Sequence, residues 1–524
     1  MFMRKLRLAM TAGVTFLSLV FASVFAPASA QEITLNSLDG TVSLTGELLD
    51  FDGERYRLKL LVGEISVDAA QVECQGPGCP NLVADLTSFT IAGSKAIADN
   101  LLPTLIEVFA LERGGDIDVS VEADGSKIYN VLEGDGALYA AISVVASDSA
   151  DGLARLLEGS AVVGMASRPA SQSEIAAFEA SGKGRLDNPQ QARILALDGV
   201  IVAVNRDNPV SILSLDQIAR IFDGSFSNWQ QVGGADAPIV LFRGPETADS
   251  SLAVEQLAMA PGARRFAPGA EILESDAQVS DAVAADVNAI GISSYAQERN
   301  AKAVAIRSVC GQLFEPSVFS IKAEEYMLSR RMYLYTAQGA VPDIARAFIE
   351  FATAPSAQPV ISNAGFIGQN ASRATLDQQG RRMAQAIVAS GGRTELLQLQ
   401  DLTAVLLDAE RLSFTLRYDE SGQLDARAVA DIGRLAVMIR DGAFTSRQLL
   451  VFGFSDNADG VNAQLSATQD LAENVRDALI TATGRANLGN VRISPIGYGR
   501  LLPVGCNETA FGRASNNRVE IWVK

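Results

Sequence analysis

The sequence predicts a multidomain α/β protein: a small N-terminal β module, a larger α/β domain in the middle and a C-terminal α/β sandwich. Three observations predict it. At roughly 100 to 200 residues per domain, 524 residues divide into three or four units. Hydrophobic residues at 48% and charged residues at 20% are ordinary globular proportions. The apolar pattern also changes along the chain, from short alternating runs to strands interleaved with helical segments and then to a second, separate α/β block.

Each element follows in order. Arg4, Lys5 and Arg7 precede an apolar run from Leu8 to Phe25, and Ala28-Ser29-Ala30 gives small residues before Gln31. This is the three-part pattern of a secretory signal peptide, residues 1–30, with a membrane anchor as the competing reading. Export makes a disulfide the expected state of cysteine. Residues 31–85 alternate β-type runs (Ile33–Leu35, Val42–Leu44, Tyr56–Leu61, Ile65–Val67) with the turn signals Asp39-Gly40 and Asp52-Gly53. Cys74 and Cys79 enclose Gln-Gly-Pro-Gly, a turn that brings two sulfurs together, so a local disulfide is expected over a zinc half-site. Cys310 and Cys506 remain, and nothing in their spacing settles whether they pair.

Residues 86–365 read as a mostly parallel α/β sheet. Ser88–Ala92 is a strand that passes through Gly93-Ser94 into a helix near Ile97–Phe109. Further strands are expected at Ala161–Met165, Gly199–Val204, Ile239–Phe242 and Ala289–Ile292. Residues 366–404 are polar and helical in period, interrupted by Gly391-Gly392, and read as a helical linker. Residues 405–524 give the strand Leu412–Tyr418, the helix Ala426–Arg440, the strand Leu449–Phe454, the helix Ala463–Leu479 and the strands Val491–Gly497 and Val519–Val523.

Composition excludes several functions. The chain has no histidine, which removes Ser-His-Asp and Cys-His catalysis and His-ligated zinc. Lys and Arg total 43 against 61 Asp and Glu, a formal charge of −18, and loss of the leader would remove three cations and no acid. No nucleic-acid partner is expected of so acidic a chain, because a phosphate-backbone binder needs a basic footprint. Without histidine only Ser-Lys or paired-carboxylate chemistry remains for an enzyme, and no such motif stands out. No enzyme activity, cofactor or metal is expected.

Leu215-Asp216-Gln217 leads into Ile221-Phe222-Asp223-Gly224-Ser225-Phe226-Ser227-Asn228-Trp229, preceded by Asp198-Gly199-Val200-Ile201 and Asn208-Pro209 and followed by Ala289-Ile290-Gly291-Ile292-Ser293 and Tyr326 to Tyr335 with Arg330-Arg331. In these segments the chain resembles the PstS-like phosphate-binding receptors of ABC transporters, which have the type II periplasmic binding fold. The resemblance implies that phosphate or another small oxyanion is gripped by hydroxyls, backbone N–H groups and one arginine, because an ionised oxyanion offers only acceptors and Arg can meet it bidentately.

Carried over by position, the ligand loops are Ser94-Lys95, then Ser147 and Ser149, then Ser167-Arg168, and last Arg243 with Thr247. The competing readings are helix capping for Ser94 and Ser147, and ion pairing for Arg168 and Arg243. The motif departs from the family at Thr247-Ala248-Asp249, where relatives carry Ser-Gly-Thr, and at Asp148 in the second loop. Both departures put a carboxylate near an anion's place.

The tail carries Gly453-Phe454-Ser455-Asp456, Ile496-Gly497-Tyr498-Gly499, Pro503, Asn507-Glu508-Thr509 and Gly512-Arg513-Ala514-Ser515-Asn516-Asn517-Arg518-Val519-Glu520-Ile521. It resembles the OmpA-like peptidoglycan-binding domain, in which an Asp and an Arg hold the zwitterionic diaminopimelate of the wall peptide. Asp456 fits the first role. The position expected to hold the Arg is Leu471 or Gln469, leaving Arg518 or Arg476 as substitutes.

The expected protein is therefore a non-enzymatic, periplasmic solute receptor, tethered to the cell wall or outer membrane, with phosphate or a similar oxyanion, peptidoglycan and an ABC permease as partners. The alternative is a structural envelope protein whose receptor domain has lost its anion.

Overall fold

The computed structural model describes residues 32–524 except 38–41, 52–54, 61–62, 69–70, 77–78, 80–86, 340, 419–421 and 456–459. The expected signal peptide, the turns at Asp39-Gly40 and Asp52-Gly53 and the carboxylate Asp456 lie outside the described residues. The chain divides between residues 85 and 86 into two compact units.

In the first unit five strands, Glu32–Ser37, Ser43–Phe51, Arg55–Leu60, Gly63–Asp68 and Val72–Gln75, form an antiparallel sheet. Strict alternation decides which face is buried. In Arg55–Leu60, Tyr56 and Leu58 point inward with Ile33 and Leu35 while Arg55, Arg57 and Lys59 face water. Cys74 and Cys79 are disulfide-bonded.

The second unit begins with two lobes, each with its own core. Phe89, Ile97, Leu105, Phe109, Ile142 and Phe348 belong to one core. Val202, Ile218, Phe222, Trp229, Ile290 and Tyr326 belong to the other. A strand of 14 residues, Ala192–Asn205, runs through both. Its first half pairs with Ser329–Tyr335 and its second half with Ala289–Ser294, so the lobes share one continuous sheet.

That sheet is mixed rather than mostly parallel. Ser88–Ser94 lies parallel to both neighbours, Leu138–Ser147 and Val163–Ala166, but Ile117–Val121 and Lys127–Leu132 form an antiparallel hairpin, and the strands crossing between lobes run antiparallel as well. The helix expected from Ile97 to Phe109 is two helices, Lys95–Asn100 and Leu102–Leu111. Pro103 opens the second because it lacks the N–H that a continuous helix would need there. Trp229 of the sequence motif is buried, and its indole N–H donates to Asn288 O at 2.9 Å, which gives that residue a structural part.

The C-terminal module is a five-stranded sheet in the spatial order Arg373–Thr375, Glu410–Arg417, Arg518–Val523, Gln448–Phe454, Arg492–Gly497. The last two strands are parallel and are connected through the helix Val461–Thr483. Along Gln448–Phe454, Leu449 and Val451 pack under the helices Ala426–Arg440 and Val461–Thr483. Leu450, Phe452 and Phe454 pack on the opposite face against Met383, Leu399 and Leu402. Both faces are covered, which is why this strand is apolar throughout.

The segment expected as a linker thus supplies an edge strand and the two helices, Gly380–Ala389 and Arg393–Leu406, that roof one face. Among the described residues, no helix is long and apolar enough to cross a membrane.

Candidate functional site

The two lobes enclose a cavity of 630 Å³. The first lobe brings three strand ends to it. Ser94 closes the strand Ser88–Ser94 and lies opposite Ser147, which closes Leu138–Ser147, because the two strands are parallel neighbours in register. Ser167 follows the third strand, Val163–Ala166. Gly93 must be glycine: its φ is +129°, and a Cβ there would stand 2.1 Å from Met165 O. The helix Ser149–Glu158 presses equally close, since a Cβ on Gly152 would meet Gly93 Cα at 2.5 Å.

The second lobe contributes Thr247, Ser250, Glu274, Ser275 and Asp276 from its loops and helix starts, and Arg330 lies on the crossing strand. Ser94, Lys95, Ser147, Ser167 and Thr247 therefore line one space. Ser94 makes no capping hydrogen bond, and its buried hydroxyl belongs to the cavity wall.

Asp148 is the helix cap, accepting from Asp151 N at 2.9 Å. Ser149 is fully buried. Its Oγ accepts from Ser167 N at 3.0 Å and donates to Asp249 Oδ2 at 2.5 Å. Ser167 Oγ donates to the same Oδ2, also at 2.5 Å. Arg168 makes a two-pronged contact with Glu174, both distances 2.8 Å, and stands 3.8 Å from Asp249 Oδ1. Glu174 lies below the usual carboxylate range. Burial alone would raise it, but Arg168 and the Ser171 N–H and hydroxyl outweigh that.

Arg243, expected to be the gripping arginine, does not line the cavity. Its guanidinium donates to Gly244 O at 3.0 Å and Glu246 at 3.3 Å and lies 4.5 Å from the centre of the Phe266 ring. The nearby carbonyl and carboxylate hold it to its own loop.

The cavity's guanidinium is that of Arg330, already committed to Asp198 at 2.8 Å and Asp276 at 3.4 Å. Burial pushes the Asp276 carboxyl up, against the pull of Arg330 and Ser250. Sequence reading quoted Arg330 within a motif but gave it no site role, and it missed Asp276. The available signals were the paired arginines Arg330-Arg331 at the start of a strand that is apolar from Met332 onward and Ser275-Asp276 opening a helix. Six lining carboxylates, Asp99, Asp148, Asp151, Asp249, Glu274 and Asp276, face two cations, Lys95 and Arg330, among the described residues.

In the C-terminal module Arg518 is wholly buried. It donates to Glu520 and Leu502 O at 2.7 Å each and stacks 4.5 Å from the Phe454 ring centre, and burial lowers its pKa to about 9. Arg518 is thus not presented to a wall peptide, a correction to its expected role. Its sequence position gave no sign that the strand is covered on both faces. Arg476 pairs with Asp477 at 2.8 Å on a helix surface.

Residues 84–356, more than half of the chain, match the family described as the PBP superfamily domain. The chain belongs to the PBP superfamily. The phosphate-binding protein PstS of Bacillus subtilis is 25% identical over 300 residues, 56% of this chain and 85% of that protein. Outer membrane porin F of Pseudomonas aeruginosa is 32% identical over 117 residues, 22% of this chain and 31% of the porin. The crystal structure of an ABC-type phosphate transport receptor from Vibrio cholerae aligns with 53% of this chain and 99% of its own, at 23% identity and a TM-score of 0.39.

Proposed function

We propose that the protein is a non-enzymatic solute receptor of the cell envelope whose PBP domain binds phosphate or a similar small oxyanion. The observation that carries this reading is the convergence of Ser94, Ser147, Ser167 and Thr247 with Lys95 on one cavity between two lobes. Hydroxyls and N–H groups suit an acceptor-only ligand, and no bond need be made or broken to hold it. The surrounding carboxylates oppose an anion at long range, so affinity must come from short, directed hydrogen bonds. The PstS relative supports the ligand class. An ABC permease is the partner such a receptor would serve.

The leader pattern supports a periplasmic location. The OmpA-like motifs and the stretch shared with porin F support a tether at the cell wall or outer membrane. With Arg518 buried, any grip on peptidoglycan rests on the Asp456 carboxylate and a cation other than Arg518.

A thermal-shift series with phosphate and sulfate tests the receptor. Native-state binding must raise the melting temperature with ligand concentration, and S94A/T247A must shrink that rise. A flat response at every concentration, in the wild type and in D249T alike, would reject the reading in favour of a structural envelope protein. Retention on purified peptidoglycan, compared between wild type and D456A, tests the tether. Equal retention of both removes Asp456 from that role.

A further inference from the structure

Asp249 belongs to the second lobe, at the start of the helix Asp249–Val254. The two hydroxyls it accepts from, Ser149 and Ser167, belong to the first lobe, 100 and 82 residues earlier. Arg168, also of the first lobe, adds a cation at 3.8 Å. One carboxylate oxygen thus receives two short O–H donors, and the other faces a guanidinium. These are the partners that an oxyanion would claim, and its charge is supplied by the chain itself.

From this geometry we propose that Asp249 is a tethered ligand surrogate and the specificity-determining residue of the cleft: its carboxylate occupies part of the oxyanion seat and latches the two lobes together before any solute arrives. This rests on the receptor reading and deepens it. A free oxyanion has two obstacles. It must displace Asp249 from Ser149 and Ser167, and it must do so beside the carboxylate it has displaced. Only molecules in which the latch is open are competent, so the apparent dissociation constant is the intrinsic one divided by the open fraction.

The geometry also gives the latch a second consequence. Asp249, Ser167 and Arg330 line not only the main cavity but a second one, of 520 Å³, whose far wall includes Arg417, Tyr418 and Phe511 of the C-terminal module. Asp249 therefore stands between the solute cleft and a cavity that reaches the C-terminal module.

Isothermal calorimetry with inorganic phosphate on the full chain, comparing wild type with D249T and D249N, tests the proposal. D249T is expected to bind phosphate at least about tenfold tighter than wild type, because the competent fraction rises towards one. Adding S149A and S167A to D249T should abolish that gain. D249N, with the charge gone but the amide able to accept, should fall between. Small-angle scattering gives an independent readout: phosphate should compact D249T and leave wild type unchanged. Equal affinity in wild type and D249T, or weaker binding by D249T, overturns the latch while the receptor reading stands. Binding by neither, with native circular dichroism in both, overturns the receptor reading and the latch with it.

Discussion

Cys310 and Cys506 are joined by a disulfide across 196 residues of sequence and so fasten the second lobe of the receptor to the C-terminal module. The same two parts are also joined by Gln312 Nε2, which donates to Pro503 O at 2.9 Å, by Arg411 with Glu325 at 2.6 Å, and by Arg331 with Asp425 at 3.2 Å. The module is bonded to the receptor body, not hung from it by a flexible strand.

Removing that bond should loosen the junction measurably. A loop this long loses much closure entropy when bridged, and the usual effect of a native disulfide is about 2–4 kcal/mol. C310S/C506S is expected to lower the denaturant midpoint of unfolding and to split one thermal transition into two. A single unshifted transition would show that the ion pairs alone hold the modules.

Arg330 should be the least replaceable side chain of the cleft. Asp198 is fully buried and takes both Nε and Nη2 of Arg330, at 3.0 and 2.8 Å. R330M leaves Asp198 and Asp276 without their cation, at a cost of about 3–5 kcal/mol. Equilibrium urea unfolding reads the loss, and a change under 1 kcal/mol, roughly that of an exposed pair, would contradict the burial argument.

The junction should respond to alkaline pH through Lys322, whose Nζ donates to Asn370 O and Ser372 Oγ at 2.7 and 2.8 Å. Burial, with Arg427 nearby, lowers its pKa from 10.5 to about 8. Between those values the unfolded chain holds a proton that the folded chain has released, so this group's contribution to stability rises with pH across the window. Relative to K322M, wild type should gain stability from pH 8 towards 10.5. A pH-independent difference between the two would show that the ammonium is not desolvated.

At the cleft floor G93A should act on the site more than on the lobes' cores. The added Cβ would collide with Met165 O and would have to adopt a left-handed backbone. Strand ends carrying Ser94 and Ser167 must separate, so phosphate-dependent thermal stabilisation should vanish even where circular dichroism stays native. A retained shift would mean that the loops do not form the seat.

Much of the fold was legible because local pattern reports local structure. The alternation at Tyr56 and Leu58 gives a half-buried strand, and the apolar run Leu449–Phe454 reads as a strand, which the structure covers on both faces. Residues 366–404 read as a linker because their polarity suited one. Apolar side chains among them, such as Met383, Leu399 and Leu402, reveal a roof only once a sheet lies beneath them. In the site, Ser94, Ser147, Ser167 and Thr247 came from the resemblance to the PstS-like receptors, and the structure sets all four around one cavity. The arginine was not, because which guanidinium faces the cavity depends on competing partners brought from elsewhere.

By itself the sequence determined the order of modules, the local Cys74–Cys79 bridge, the loops that carry hydroxyls and the presence of an acid beside them at Asp249. These depend on periodicity, short-range turns and residue chemistry. The tertiary structure alone decided that Cys310 meets Cys506, that Arg330 and not Arg243 faces the cleft, that Arg518 is sealed inside, and that Asp249 reaches across to Ser149 and Ser167. Each of those facts is a meeting of residues far apart in the chain. Hydrogen bonds and charges act over ångströms in space, and a linear sequence carries no measure of that distance.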